Sequence, residues 1–251
     1  MTRVAVTGGT GMIGRAVCTA LEARGHEVRV LSRHSVSHPV DLTTGEGLEA
    51  ALDGCEVVVD ASNGFGAKAG RAVLVDGSRR LLEVEQAVGV AHHVAMSIVG
   101  CDAVPGYPYY RVKVAQEQVV RAGGVPWTIV RATQFHGFLD MLLGAAAKVG
   151  VRPSLAIPLQ PVDVGDVALA IADVVAGDGG GRTIEVVGPE VTTVRDLARS
   201  WSAATGRGRV PIRLPLWGGM LRALAGGAAL SDDPDVRGSV TFESWLTATY
   251  A

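Results

Sequence analysis

Thr7-Gly8-Gly9-Thr10-Gly11-Met12-Ile13-Gly14 follows the apolar run Val4 to Val6. It opens a stretch, Met12 to Arg24, in which apolar residues recur every three and four positions. A β-rich run, a glycine turn and an amphipathic helix in that order are the start of a dinucleotide-binding βαβ unit. The turn reads in two ways, as G-x-G-x-x-G at Gly9, Gly11 and Gly14 or as the spaced set Gly8, Gly11 and Gly14. Either puts glycine where backbone must approach a pyrophosphate, with the amides of Thr10, Met12 and Ile13 facing the anion. A chain with 33 glycines makes such a pattern weak by itself, and the flanking strand and helix give it weight.

Outward from this motif, a second strand, Glu27 to Leu31, ends in Leu31-Ser32-Arg33. An NAD-selective site would place an Asp or Glu there for the ribose 2′-hydroxyl. Ser32 and Arg33 instead suit a 2′-phosphate, so NADP(H) is favoured over NAD(H), the alternative being a solvated surface arginine; His34 is unconstrained. A brief strand near Pro39 to Asp41 is followed by strands at Glu56 to Asp60, His92 to Met96 and Trp127 to Val130. Helices are expected at Thr44 to Leu52, Arg71 to Val88 and Tyr109 to Ala122, with Gly25, Gly54, Gly89 and Gly123 at helix ends. This alternation predicts a Rossmann-type α/β fold with a doubly wound parallel sheet. Asp41 and Leu42 then meet adenine, although Asp41 reads nearly as well as a capping or loop carboxylate. Ala61, Ser62 and Asn63 line the ribose and pyrophosphate crevice.

After Val130 the pattern changes. Strand-like runs fall at Leu155 to Ile157 and Thr183 to Val187, helices at Val164 to Val175 and Val194 to Ala204, and a loop at Gly177 to Gly181. A segment from Pro211 to Pro215 leads on to Trp217 and Met220. We read residues 1–251 as a single domain, with substrate-covering elements mainly in 135–160 and 188–251.

Apolar residues are 48% of the chain, charged residues 19% and the net charge is −2. That excludes a disordered chain and provides no basic field for nucleic acid, so the expected partner is a small-molecule substrate. No run approaches the roughly 18 apolar residues that would read as a membrane span. With Arg3 to Val6 beginning the chain directly, the expected location is cytoplasmic. Cys18, Cys55 and Cys101 are widely spaced without a metal-ligand pattern and read as small core hydrophobes, so no metal is expected.

The chemistry is expected at Ser97, Tyr109 and Lys113. Lysine occurs only at 68, 113 and 148, so a tyrosine four residues before one of them stands out. Tyr109 and Lys113 share a helical face. In such an arrangement the lysine holds the nicotinamide ribose and lowers the phenol pKa, the tyrosine moves the carbonyl-side proton, and Ser97 bonds the substrate oxygen. Hydride comes from the cofactor. In the alternative, Tyr109 packs at the helix start and Tyr110 is the exposed ring. Gln134 and His136 are further donors for a substrate carbonyl, His136 reading more readily as a structural group. His92-His93 reads as the start of a strand. The Met141-Leu142-Leu143 run and Trp217 suit either a greasy substrate or plain core packing.

Several further stretches add to the opening motif: Tyr109-Tyr110-Arg111-Val112-Lys113, Trp127-Thr128-Ile129-Val130-Arg131-Ala132-Thr133-Gln134-Phe135, Val162-Asp163-Val164-Gly165-Asp166-Val167-Ala168 and Thr241-Phe242-Glu243-Ser244-Trp245-Leu246. On these the chain resembles, over nearly its whole length, the short-chain dehydrogenase/reductase superfamily. Within it the likeness is to the atypical, NmrA-like group that includes NAD(P)H-quinone oxidoreductase-like proteins. The resemblance implies that Ala132, Thr133, Gln134 and Phe135 face the nicotinamide. It also implies that Phe135 to Leu143 and Pro211 to Leu224 shape a substrate pocket, and that Asp163 to Asp166 is structural. Many NmrA-like proteins lack the tyrosine and sense cofactor without turnover, whereas extended members separate serine from tyrosine by more residues. The function expected is NADPH-dependent reduction of a carbonyl or quinone, polyaromatic quinones included. The alternatives are a nonenzymatic NADP(H)-binding regulator and an epimerase or dehydratase with tightly held cofactor.

Overall fold

The computed structural model describes residues 1–64, 66–177, 180–213 and 218–251. Pro215, Trp217 and the middle of the predicted loop at 177–181 therefore lie outside the described residues. The first half runs β1 (Arg3–Thr7), α1 (Met12–Ala23), β2 (Glu27–Leu31), α2 (Leu48–Leu52), β3 (Val57–Asp60), α3 (Ala67–Gly70), a π-helical turn (Arg71–Gly77), α4 (Ser78–Val88), β4 (His92–Ile98), α5 (Pro108–Ala122) and β5 (Trp127–Ala132). The second half runs α6 (His136–Ala147), β6 (Val151–Pro153), β7 (Pro158–Leu159), α7 (Val164–Ala176), β8 (Arg182–Val187), β9 (Thr192–Thr193), α8 (Val194–Thr205), β10 (Val210–Ile212), α9 (Gly219–Ala225), β11 (Val236–Arg237) and α10 (Phe242–Tyr250).

Seven strands form one parallel sheet in the order β11-β8-β5-β4-β3-β1-β2. Both faces are covered, as the unbroken apolar runs of β1 and β3 require. Val17 and Leu21 of α1 and Val167 and Ile171 of α7 pack on Val4, Val6, Val59 and Val94. Leu48, Leu81 and Val120, from α2, α4 and α5, cover Ala5, Val58, Ala95 and Ile129 on the other side. Strand order reverses at β1, whose neighbours are β2 and β3, so the crevice of a doubly wound sheet lies at the carboxyl ends of β1 and β3. A third apolar cluster joins Leu139, Leu143, Leu197, Trp201, Phe242 and Leu246 and gives α6, α8 and α10 a small core of their own.

Four sequence expectations are corrected. The strand near Pro39 to Asp41 is reduced to isolated bridges, Ser32 to Pro39 and Asp41 to Glu46, because proline has no N–H to give a ladder. The helix expected from Thr44 begins only at Leu48. Gly45 and Gly47 have φ of +86° and +79°, and a Cβ at Gly47 would lie 2.2 Å from the Pro39 oxygen. The Arg71 to Val88 helix is extended upstream by α3, and its first seven residues wind as a π-helix. Leu155 to Ile157 is not a strand, since the Leu155 and Ile157 carbonyls accept from the Arg195 and Val194 amides at the start of α8.

Candidate functional site

The glycine turn sits at the carboxyl end of β1. Gly8 has a φ of +65°, and a Cβ there would lie 2.6 Å from the Ala61 oxygen. A Cβ at Gly14 would lie 2.2 Å from the Gly8 oxygen. At Gly11 a Cβ would meet only the Gly8 oxygen, at 3.1 Å, and the residue is exposed. Gly9 is restricted as well, a Cβ there lying 2.9 Å from Val30 Cγ1 and 3.1 Å from the Val6 oxygen, so both glycine patterns fit the turn and Gly11 is its open face. Met12, Ile13 and Gly14 open α1, where amides have no intrahelical acceptor. No side chain caps this helix and no acid stands in its first turn, so its positive end is uncompensated. Thr10 is exposed beside it, and the Met12 side chain lies on Gly137 at the start of α6. Gly14→Ala should cost about 1–3 kcal/mol through overpacking, seen as a lower thermal midpoint, with Gly11→Ala much milder. Equal losses would contradict this assignment.

At the end of β2, Arg33 is exposed and has no ion pair among the described residues, while Ser32 Oγ accepts from the His34 amide at 3.2 Å. Asp41 is engaged locally, its Oδ1 accepting from Thr43 Oγ1 at 2.6 Å and Thr43 N at 2.8 Å. Those bonds hold its carboxyl below the usual range, and the loop-carboxylate alternative describes this contact. Leu42 is buried in the core.

Tyr109 and Lys113 both come from the first half of α5. Tyr109 is half-buried, and its hydroxyl donates to Asn63 Oδ1 at 2.8 Å, so the two predicted residues meet above β3. Tyr110 is the buried ring, packed with Cys101 and Val104, which reverses the alternative assignment of the two tyrosines. Burial, reinforced by Tyr107, pushes the Tyr109 phenol up to about 12. The expected lowering by Lys113 is not found, because the ammonium is turned beneath the site. Lys113 Nζ donates to the Met96 oxygen and to Gln116 Oε1, each at 2.9 Å.

Ser97 is placed differently from Tyr109. On the face of β4 covered by α5, its Oγ donates to Glu117 Oε1 at 2.6 Å, within a buried network that includes Arg131. The hydroxyl proton expected on a substrate oxygen is thus committed to a carboxylate. His92 and His93 open β4 as expected, and their buried rings pair with Thr128 and Glu85. Asp163 caps α7, and Asp166 receives the Ser239 and Val240 amides, both structural roles.

Beyond the ends of β3 and β5 lie buried polar atoms without hydrogen-bond partners among the described residues: Ser62 Oγ, Thr133 Oγ1 and both ends of the Gln134 amide. Buried polar groups are ordinarily satisfied. Together with the open helix end and the glycine cradle, these orphans fit a dinucleotide laid across the sheet edge. Ala132 is buried at the end of β5, and Phe135 packs on the main core. The His136 ring nitrogens have no hydrogen-bond partner among the described residues, but Asp163 Oδ2 lies 4.0 Å from Nδ1 and the rings of Phe242 and Trp245 lie against it, at 5.5 and 5.9 Å between centroids. Of the apolar run on α6, Leu143 is in the core while Met141 and Leu142 are about half exposed. Met220 and Leu224 of α9 pack beside Tyr109 and Tyr110. A groove of about 300 Å³ lined by Asp140, Trp201, Arg207 and Tyr250 lies apart from the cradle residues.

Sequence reasoning missed three buried residues, Asp60, Gln116 and Glu117. Two signals were there. An aspartate ends the otherwise apolar Val57-Val58-Val59, and Gln116 and Glu117 stand three and four positions after Lys113, on its helical face.

Residues 8–176 match the family described as NAD(P)H-binding. The chain is 32% identical over 224 residues to the (4-alkanoyl-5-oxo-2,5-dihydrofuran-3-yl)methyl phosphate reductase of Streptomyces griseus, covering 81% of this chain and 74% of that protein. It is 26% identical over 157 residues to the photosystem II assembly factor Ycf39 of Cyanophora paradoxa, covering 57% of this chain and 48% of that one. The fold matches that of the NADPH-dependent quinone oxidoreductase QOR2 of Escherichia coli, solved with NADPH. The TM-score is 0.80 at 18% identity, over 99% of this chain and 100% of the other. No helix among the described residues is long and apolar enough to cross a membrane.

Proposed function

Because the chain belongs to the NAD(P)H-binding family of atypical short-chain dehydrogenase/reductases, we propose that it is an NADPH-dependent reductase of a small carbonyl or quinone compound. The observation that carries this reading is Tyr109, a half-buried phenol whose hydroxyl stands beside Asn63 at the crevice with its proton retained through neutral pH. A reduced nicotinamide bound in the crevice supplies hydride. Gly8, Gly11 and Gly14, with the amides of Met12 and Ile13, cradle the pyrophosphate. Lys113 holds the nicotinamide-side ribose, and Thr133 and Gln134 give their orphaned polar atoms to the nicotinamide. Tyr109 releases its proton to the substrate oxygen as negative charge develops there. Ser97 would have to leave Glu117 to join it, so the reading rests on Tyr109 and Lys113.

The test is NADPH oxidation followed by absorbance with a panel of quinones and aromatic ketones, beside binding titrations of NADPH and NADH. Turnover with any acceptor supports the reductase. Tight binding without turnover favours the second reading, a cofactor-sensing regulator, which the commitment of Ser97 to Glu117 and the likeness to an assembly factor support.

Arg33 decides the choice of nucleotide. Arg33→Ala is expected to weaken NADPH binding by about tenfold to a hundredfold, the worth of one to two charge-assisted hydrogen bonds, while leaving NADH binding unchanged. An unaltered preference removes Arg33 from the site.

A further inference from the structure

The crevice between β1 and β3 rests on one buried acid. Asp60 is 0% exposed. Its Oδ1 accepts from Thr7 Oγ1 at 2.6 Å, one residue before Gly8, and from the Ser62 amide at 3.1 Å. Its Oδ2 accepts from Ser78 Oγ and from Gln116 Nε2, each at 3.1 Å. The Gln116 amide has one workable orientation, nitrogen toward Asp60 and oxygen toward Lys113 Nζ at 2.9 Å. Lys113 spends a second donor on the Met96 oxygen. An ammonium carries three, so one N–H is left without a partner among the described residues.

A carboxylate this deeply buried is costly unless its oxygens are fully used. Here four donors surround it, and the charge of Lys113 is returned to it through a neutral amide. Burial would raise the Asp60 carboxyl, but His93, the Ser62 and Thr7 donors and Lys113 together hold it below the usual range. His93 is itself buried and faces Glu85 at 2.8 Å, so the acid sits against a second compensated pair.

We propose that Asp60 is the positioning residue of the cofactor site. Through Gln116 it fixes Lys113 with one N–H left for a ribose hydroxyl, and through Thr7 and Ser62 it holds the two strand ends between which the dinucleotide lies. This rests on the NAD(P)H-binding reading of the crevice.

Asp60→Asn keeps the shape and inverts the polarity. The new amide nitrogen would meet the Gln116 nitrogen, Gln116 would turn over to satisfy it, and a donor would then face the Lys113 ammonium. Adding Gln116→Glu restores an acceptor at both ends. Fluorescence titration with NADPH should show binding weakened about tenfold in Asp60→Asn, the worth of one charge-assisted hydrogen bond, and largely recovered in Asp60→Asn/Gln116→Glu. If Asp60→Asn shows no cooperative thermal transition, Gln116→Met breaks the same relay with Asp60 intact. That variant should weaken NADPH but leave 2′,5′-ADP, which lacks the nicotinamide ribose, bound as before. Wild-type affinity in Asp60→Asn, a double variant no better than the single, or equal loss of both nucleotides in Gln116→Met overturns the proposal. Wild-type protein that binds neither NADPH nor NADH overturns the cofactor reading as well.

Discussion

Glu117→Ala should lower stability by about 3–5 kcal/mol, as expected when one partner of a buried ion pair is removed. The Glu117 carboxylate is almost wholly buried and accepts from Ser97 Oγ at 2.6 Å, Arg131 Nε at 2.9 Å, Arg131 Nη2 at 2.8 Å and Arg121 Nη2 at 2.9 Å. Without it the Arg131 side chain, only 13% exposed, keeps its charge with Asp102, itself 57% exposed, as its nearest remaining partner. Urea unfolding at pH 7 measures the loss directly, and a change below about 1 kcal/mol, the worth of an exposed pair, would show that the network contributes nothing special.

The same network sets an acid limit. Burial would raise the Glu117 carboxyl, but hydrogen bonds from Arg131 and Ser97 overcome it and hold it below the usual range. A carboxyl depressed on folding contributes stability that is present above its unfolded pKa and lost as pH falls through the folded value. The gap between wild type and Glu117→Ala should therefore narrow below about pH 4, the ordinary glutamate range. Asp60 is depressed in the same sense and should add to acid lability of the wild type.

The glycine turn and the alternation of strands and helices are legible because each depends on local pattern. Thr7 to Gly14 must turn sharply whatever lies beyond it, and Val57 to Val59 can only be a strand covered on both faces. What was not legible depends on side-chain direction across the sheet. Ser97 is expected on a substrate oxygen beside Tyr109 and Lys113, but alternation along β4 points it under α5, onto Glu117. Lys113 was expected to act on Tyr109 because the two share a helical face. Its long stem instead carries the ammonium below that face to Gln116 and the Met96 carbonyl. The strand near Pro39 failed for a different reason: a proline at the sheet edge supports a single bridge and no ladder.

Tyr109→Phe is expected to lower kcat for an aromatic ketone by about 10²–10⁴, the usual worth of a positioned general acid, while leaving NADPH binding intact. The phenol is pushed up to about 12 by its burial, so at neutral pH it is protonated and able to donate. A ketone that accepts hydride becomes an alkoxide, a far stronger base than a phenolate, so transfer from Tyr109 runs downhill in spite of the raised pKa. A quinone that accepts hydride becomes a phenolate, which is stable in water without a proton from the enzyme. The two substrate classes should therefore separate in one variant: ketone reduction lost, quinone reduction largely kept. Asn63→Ala should act on the same proton less severely, because its Oδ1 only holds the phenol in place. Unchanged ketone turnover in Tyr109→Phe would remove the tyrosine from the chemistry. Equal losses on both substrate classes would assign it to substrate binding rather than proton transfer.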